Sequence, residues 1–360
     1  MDPLRNNHLH CKLPEQRDYH VAVNIVTWNS EKYIKDLLES LRAQAFQGFY
    51  IIIIDNASTD KTLDIVKEYD GITVIKNSAN AGFSRAHNKG IEMALKFWEG
   101  RDLSERFIVV CNPDIVLKDD CLEILLKDIW REKHTAAVGP KLLRIHEEEK
   151  NGFPESLKTN IIDSLGLKIS KSCRVVDASA GLEEKKPSFR REVFGVSGAM
   201  MCIRAKALET IKWQKEYFDE DFFAYKEDID LCWRLRNLGW DIAVNPEAIA
   251  YHYRRVGDNS KRSLRQYMLS EKRKPPIVKF LSVRNQLWLM VKNNFLVNAC
   301  LCAPFIFLEE CAKFLYCLCF CRRALGAYFS FAGKLLRMLQ KREYLKMARI
   351  GSAEIRAWMR

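Results

Sequence analysis

Short, continuous apolar runs alternate with amphipathic stretches over the first third of the chain. Val21–Val26 (VAVNIV), Tyr50–Ile54 (YIIII), Ile72–Ile75 (ITVI) and Phe107–Cys111 (FIVVC) are brief and mostly β-branched, which predicts strands covered on both faces. Between them, apolar positions recur at helical spacing: Ile34, Leu37, Leu38, Leu41 and Ala45; Leu63 and Val66; Ile91, Ala94 and Leu95; Leu122, Leu125, Leu126 and Ile129. Residues suited to N-terminal caps precede three of these stretches: Asn29 or Ser30, Thr59 or Asp60, and Ser84. Strands alternating with helices in this way predict an α/β fold with a mostly parallel sheet flanked by helices. Ligands of such sheets bind beyond the carboxyl ends of the strands. Polar clusters stand at three of those ends: Thr27-Trp28-Asn29, Asp55-Asn56 and Asn112-Pro113-Asp114.

The periodicity fades from about Lys141 to Glu192, where the charge runs HEEEK and EEKKPSFRRE predict a long, partly mobile insertion. Val193–Ile203 (VFGVSGAMMCI) is apolar and punctuated by glycine, as a strand with a close backbone approach would be. Phe218 to His252 then sets Asp219, Glu220, Asp221, Glu227, Asp228 and Asp230 among Phe218, Phe222, Phe223, Tyr225 and Trp233. Carboxylates beside bulky apolar groups lose water, which raises their pKa and suits one of them to general-base work. Leu231, Leu235 and Leu238 continue at helical spacing and Gly239 suits the C-terminal cap, so Glu227 and Asp228 fall in a helical first turn. An ordinary amphipathic helix with an acidic start fits that stretch alone equally well. DIAVN and AIAYH read as two short strands. A basic connector follows His252, then a helix. Asn294–Cys321 is apolar but broken by Pro304, Glu309, Glu310 and Lys313, short of the roughly 18–20 residues of a membrane span. The chain thus divides into a polar tail (1–19), an α/β domain (20–265) and a basic, apolar helical region (266–360).

A net charge of +12 calls for an anionic partner. The basic residues gather in the connector and the C-terminal region, without an aromatic stacking platform, so no nucleic-acid partner is expected. A membrane surface contacted through the C-terminal region is the preferred partner, and packing of that region on the main domain is the alternative. The cysteines show no paired CxxC spacing, so a zinc module is excluded. The first twenty residues lack a signal peptide's apolar segment, and reduced thiols in a cytoplasmic setting are expected. Asp55, closing a strand, is placed to accept from a nucleobase, with Thr27 beside it. Arg85, near a helix start, suits a phosphate. Asp114, fixed by Pro113, suits a hard divalent cation completed by diphosphate oxygens, and His252 can join that shell, a hydrogen-bonded core histidine being the alternative.

Taken in order, IVTWNS, DNASTDKT, NAGFSRAHNKGI, NPDI, GVSGAMMCIR, FDEDFFAYKEDIDLCWRLRNLGW and PEAIAYH resemble glycosyltransferase family 2, in its rhamnosyltransferase-like branch, from about Val21 to His252. The resemblance implies a GT-A (Rossmann-like) fold and an inverting transferase. Its donor would be a nucleotide sugar, dTDP-rhamnose by preference, with UDP-hexoses or UDP-N-acetylhexosamines as alternatives. The acceptor would be a glycan or polyprenyl-linked hydroxyl in cell-surface polysaccharide synthesis, reached at the inner face of the membrane. It implies that Thr27, Asn29, Asp55, Asn56, Arg85, Asn112 and Asp114 bind the nucleotide sugar. Asp114 and His252 would hold Mg²⁺ or Mn²⁺, and Asp228, with Glu227 beside it, would be the general base. The family's paired acids read Asn112-Pro113-Asp114 here, with the first acid missing. A glycoside hydrolase using Asp114 and Asp228, and a non-catalytic membrane-associated protein, are the competing classes.

Overall fold

The computed structural model describes residues 19–150, 153–183, 189–253 and 275–360. The polar N-terminal tail, except its last residue, and the connector carrying the 265/266 boundary lie outside the described residues. The first half runs β1 (Val21–Thr27), α1 (Ile34–Arg42), β2 (Phe49–Asp55), α2 (Thr62–Val66), β3 (Ile72–Lys76), α3 (Gly82–Phe97) and β4 (Phe107–Cys111). Then come β5 (Ile115–Leu117), α4 (Cys121–Arg131), β6 (Thr135–Lys150), β7 (Phe153–Ser164), β8 (Leu167–Ile169), β9 (Val175–Asp177), β10 (Arg191–Glu192), β11 (Met200–Arg204), α5 (Ala205–Ile211), α6 (Glu227–Asn237) and β12 (Asp241–His252).

One ten-stranded sheet, in the order β10-β12-β6-β11-β4-β1-β2-β3, carries the domain, with β5 on β12 and β7 on β6. The parallel sheet expected from the alternating first half is present across β4, β1, β2 and β3. Beyond β4 the sheet turns mixed, because β11 runs antiparallel to both β4 and β6. Side chains alternate across the strands, so Ala22, Ile52 and Ile54 enter the core under α3 and α6, while Val21, Val23, Ile25 and Ile53 enter the core under α1 and α4. Each such buried Val, Leu or Ile contributes about 1.5–3 kcal/mol.

Two expectations are corrected. The stretch from Lys141 to Glu192, expected as a partly mobile insertion, is β structure where described: β6 and β7 form a long antiparallel pair and β8 and β9 a hairpin. The charge run HEEEK hid the end of β6 because it does not alternate in polarity, and residues 184–188 of EEKKPSFRRE lie outside the described residues. DIAVN and AIAYH form one bulged strand, β12, rather than two.

The C-terminal region is helical: α7 (Pro276–Asn293), α8 (Leu296–Leu301), α9 (Ala303–Phe320), α10 (Gly326–Gly333), α11 (Leu335–Lys341) and α12 (Ser352–Trp358). It shares a core with the α/β domain, in which Trp288, Leu289, Met338 and Ile355 pack with Leu167, Phe194, Phe222 and Trp233. Several of its basic residues, expected to face a bilayer, point inward instead. Lys292 meets Asp219 at 2.7 Å and Asp230 at 2.9 Å, and Lys341 meets Glu216 and Asp221, each at 2.8 Å. Lys334 and Arg337 close on Asp221 from outside. Three of the six acids between Phe218 and Asp230, namely Asp219, Asp221 and Asp230, are therefore the seat of this clamp. Asn285 completes it by donating to the carbonyls of Phe222, Ala224 and Tyr225.

Candidate active site

Parallel pairing brings the ends of β4, β1 and β2 to one edge, with Thr27 directly beside Asp55 in register. Thr27 Oγ1 donates to Asp55 Oδ1 at 2.9 Å, and Ser58 donates through its backbone N–H to Oδ2 at 3.0 Å and through its hydroxyl to Oδ1 at 2.6 Å. The Asp55 side chain is thus locked, with an acceptor position left on Oδ2. Asn29 does not cap α1. At φ +49° it binds the loop after β2, its Oδ1 accepting from the Thr59 N–H at 2.9 Å and its own N–H donating to Ser58 Oγ. Asn56 is buried, donating to the Gly82 carbonyl and accepting from Asn77 Nδ2 at 2.7 Å, so it ties β2 to the start of α3. Trp28, between Thr27 and Asn29 at the same strand end, is 56% exposed.

Arg85 was expected to meet a phosphate. Its Nε instead pairs with Glu220 at 2.7 Å, joining α3 to the acidic loop. The same junction explains the glycine of NAGFS: a Cβ at Gly82 would lie 2.6 Å from the Phe223 carbonyl oxygen. The Phe83 N–H donates to that carbonyl at 2.7 Å.

The Asn112 N–H donates to the Ala199 carbonyl at 2.8 Å, and the Asp114 carbonyl accepts from the Tyr253 N–H at 3.0 Å, so the loop after β4 is held from both sides. His252, the last residue of β12, aims Nε2 at Asp114 Oδ1 across 3.5 Å. Its Nδ1 lies 2.9 Å from Asp163 Oδ2, and Asp163 in turn pairs with the buried Arg144. A carboxylate acceptor assigns the Nδ1 proton to that bond, leaving Nε2 directed at Asp114. Burial alone would lower the imidazole pKa, but hydrogen bonds to and the charges of Asp114 and Asp163 outweigh it and raise it to about 9. Asp114 Oδ1 is buried, with His252 Nε2 facing it 3.5 Å away. Once Nε2 gives up its proton, Asp114 and His252 would together hold a divalent cation, which would supply positive charge to a diphosphate. Among the described residues no cluster of three or more His, Cys, Asp or Glu side chains forms a closed metal site.

Glu227 and Asp228 open α6, as expected, and Gly239 follows the helix at φ +83°. The chain enters with Phe223, Tyr225 and Lys226 all at positive φ, a strained approach of about 1–3 kcal/mol per residue. Asp228 Oδ2 accepts from the Gly198 N–H at 2.9 Å and Oδ1 from the Ile229 N–H at 2.8 Å. This is the close backbone approach expected in VFGVSGAMMCI, although the strand itself begins only at Met200. A Cβ at Gly198 would stand 2.9 Å from the Asp228 Cβ. Gly198 also adjoins Ala199, whose carbonyl binds Asn112, so the Asp228 and Asp114 loops meet through two successive residues. Burial raises both carboxyls. The Gly198 and Ile229 N–H groups oppose the rise at Asp228, whereas the Asp228 charge adds to it at Glu227, pushing that group well above the usual range. Glu227 Oε2 has no hydrogen-bond partner among the described residues. The pair is thereby split, with Glu227 the proton-retaining member and Asp228 the one that ionises first.

The model of "Glycosyl transferase family 2" matches residues 22–211, and that of "Glycosyl transferase family group 2" matches residues 185–331. The chain belongs to glycosyl transferase family 2. Within it, the chain is similar to rhamnosyltransferase WbbL of Escherichia coli, 27% identical over 65% of this chain and 83% of that protein. It is also similar to N-acetylglucosaminyl-diphospho-decaprenol L-rhamnosyltransferase of Mycobacterium tuberculosis, 26% identical over 65% of this chain and 76% of that one. The fold of GalNAc-T7, solved with UDP, GalNAc and Mn²⁺, superposes with a TM-score of 0.55 at 13% identity, over 76% of this chain and 48% of that structure. Together these make the chain a rhamnosyltransferase-like family 2 glycosyltransferase of GT-A fold.

Sequence reasoning missed Ser58, Asp163, Gly198 as a donor, and Asn285. Ser58 was legible in DNAST beside Asp55. Asp163 and Asn285 reach the site from 89 and 60 residues away, with no local signal.

Proposed function

We propose that this glycosyltransferase transfers a sugar, rhamnose from dTDP-rhamnose by preference, with inversion, to a hydroxyl of a lipid-linked glycan acceptor in surface-polysaccharide synthesis. The observation that carries the mechanism is the split carboxylate pair: Asp228, pinned by Gly198 and Ile229, takes the acceptor proton while Glu227 stays protonated beside it. Asp55 and Thr27 receive the nucleobase and Trp28 offers it a stacking face. Asp114 and His252 would hold the cation, which would supply positive charge to the diphosphate. Asp163 fixes the His252 ring. The names of the two rhamnosyltransferases support the donor, and the decaprenyl diphosphate in one of those names supports a lipid-linked acceptor.

The polarity of α9, which is inside out, supports a membrane-surface location. Phe307, Leu308 and Leu315 are 69%, 68% and 58% exposed, while Glu309, Glu310 and Lys313 turn toward the protein and pair there. Among the described residues no helix is long and apolar enough to cross a membrane. An apolar outer face on a charged inner one suits a helix lying in the headgroup layer of the inner membrane face.

The deciding experiment is a calorimetric donor screen with dTDP-rhamnose, UDP-glucose, UDP-galactose and UDP-N-acetylglucosamine, each with and without Mg²⁺ or Mn²⁺. Metal-dependent binding of dTDP-rhamnose ahead of the others is expected. Preference for a UDP-sugar would overturn the donor, and binding indifferent to metal would overturn the roles of Asp114 and His252.

A further inference from the structure

One cation beside the catalytic pair has no part in the chemistry above. Lys226 immediately precedes Glu227 and is held at φ +72°. Among the described residues no hydrogen bond or ion pair reaches its ammonium, whereas Lys292 and Lys341 nearby each meet at least two carboxylates. The charges that act on Lys226 are the cations Lys313 of α9 and Arg174 of the β8–β9 turn and the carboxylates Asp228 and Glu310. Burial first, then Lys313 and Arg174, lower its pKa to about 8 against the opposing pull of Asp228 and Glu310. Arg174 stands 3.6 Å from Glu309, and Lys313 lies 2.8 Å from Glu310 and 3.5 Å from Glu309. Lys171, on the same turn, sits over the Phe305 ring of α9 at 5.3 Å. Cations from three segments therefore converge where the inner face of α9 meets the start of α6. Asp228 meets two backbone N–H groups and does not reach the Lys226 ammonium.

We propose that Lys226, with Arg174 and Lys313, holds the phosphate or diphosphate ester of a lipid-linked acceptor beside Asp228. The ester's oxygens take the place that carboxylates fill around Lys292 and Lys341. Its hydrocarbon chain leaves along the outward apolar face of α9, and its sugar hydroxyl reaches the base. The subsite deepens the transferase reading and rests on it. Phosphate chemistry has a second source in this reaction, the donor's own diphosphate, which belongs with Asp114 and His252.

Titration calorimetry separates the two sources without turnover. Geranyl diphosphate, a short soluble probe, is titrated into the full chain and its Lys226→Gln and Asp114→Asn variants, and dTDP-rhamnose with Mn²⁺ is titrated in parallel. Lys226→Gln keeps the backbone demand at φ +72° unchanged and removes only the charge. The expected result is a loss of about tenfold or more in geranyl diphosphate affinity for Lys226→Gln, the size of a lost charge-assisted contact, with dTDP-rhamnose affinity kept within about twofold. Asp114→Asn should show the converse. Geraniol, which lacks the diphosphate, should bind the wild type and Lys226→Gln alike. Probe binding that survives Lys226→Gln, or that falls with Asp114→Asn instead, or that is absent from the wild type, overturns the subsite. Lys226-dependent probe binding in a chain that binds no nucleotide sugar would overturn the transferase reading and leave the subsite standing.

Discussion

Replacing Lys292 by Met removes one charge from the clamp that holds the catalytic loop. Lys292 is 3% exposed and its carboxylate partners Asp219 and Asp230 are 2% and 0% exposed, so none of the three is compensated by water. Breaking a buried pair from one side costs about 3–5 kcal/mol because the surviving carboxylate stays desolvated. Here Asp219 keeps Lys341, and Asp230 keeps Arg234 at 2.8 Å and Asn293 at 2.8 Å, so the expected cost falls to about 2–3 kcal/mol, or roughly 30- to 150-fold in the folding equilibrium. Urea unfolding, followed through the fluorescence of buried Trp233 and Trp288, measures it. The pH dependence supplies a second arm. Burial would raise the Asp219 pKa, but Lys292 and Lys341 hold it well below the usual carboxylate range. A depressed folded pKa gives stability that is complete above the unfolded value of about 3.9 and is lost as pH falls below it toward the folded value. The wild type should therefore lose more stability than Lys292→Met on acidification from about pH 5 to pH 3. A destabilisation under about 0.5 kcal/mol, or identical acid slopes, would refute the idea that this pair clamps the loop.

Asp228→Asn should lower kcat by about 10²- to 10⁴-fold while calorimetry finds donor affinity unchanged. In the wild type the acidic limb of kcat against pH should lie above about pH 4, since the folded carboxyl is raised and only its ionised form accepts a proton. Gly198→Ala forces a Cβ to within 2.9 Å of the Asp228 Cβ and should reduce kcat by about tenfold or more with little change in donor Kd. Equal loss in both would show that Gly198 serves folding alone. Asp163→Asn frees the His252 ring and should weaken Mn²⁺ binding about 10- to 100-fold, read by the metal-dependent shift in donor affinity. Phe307→Lys with Leu308→Lys should abolish flotation with anionic vesicles while leaving turnover of a soluble acceptor intact, and undiminished flotation would place the membrane contact elsewhere.

The legible part of the site was the part encoded at strand ends and helix starts. Asp55 and Thr27 close neighbouring strands, and Asp228 opens a helix, so short windows of pattern put each at the crevice. Polarity alone could not tell a carboxylate that reacts from one that binds a lysine. Asp219, Asp221 and Asp230 share the composition of Asp228, yet their partners lie on helices that follow them by 60 residues or more. The Glu220 partner of Arg85 was invisible for the same reason, since it lies 135 residues further along the chain.

The local alternation of apolar and polar residues therefore determined the α/β architecture, the crevice edge and the helix that presents Glu227 and Asp228, because burial and helical spacing act over a few residues. Which acid ionises, which cation is left without a carboxylate among the described residues, and that the basic tail grips the catalytic loop were decided only by tertiary structure. Those properties depend on desolvation and on charges brought together from distant segments, and the chain's order carries no record of such distances until it folds.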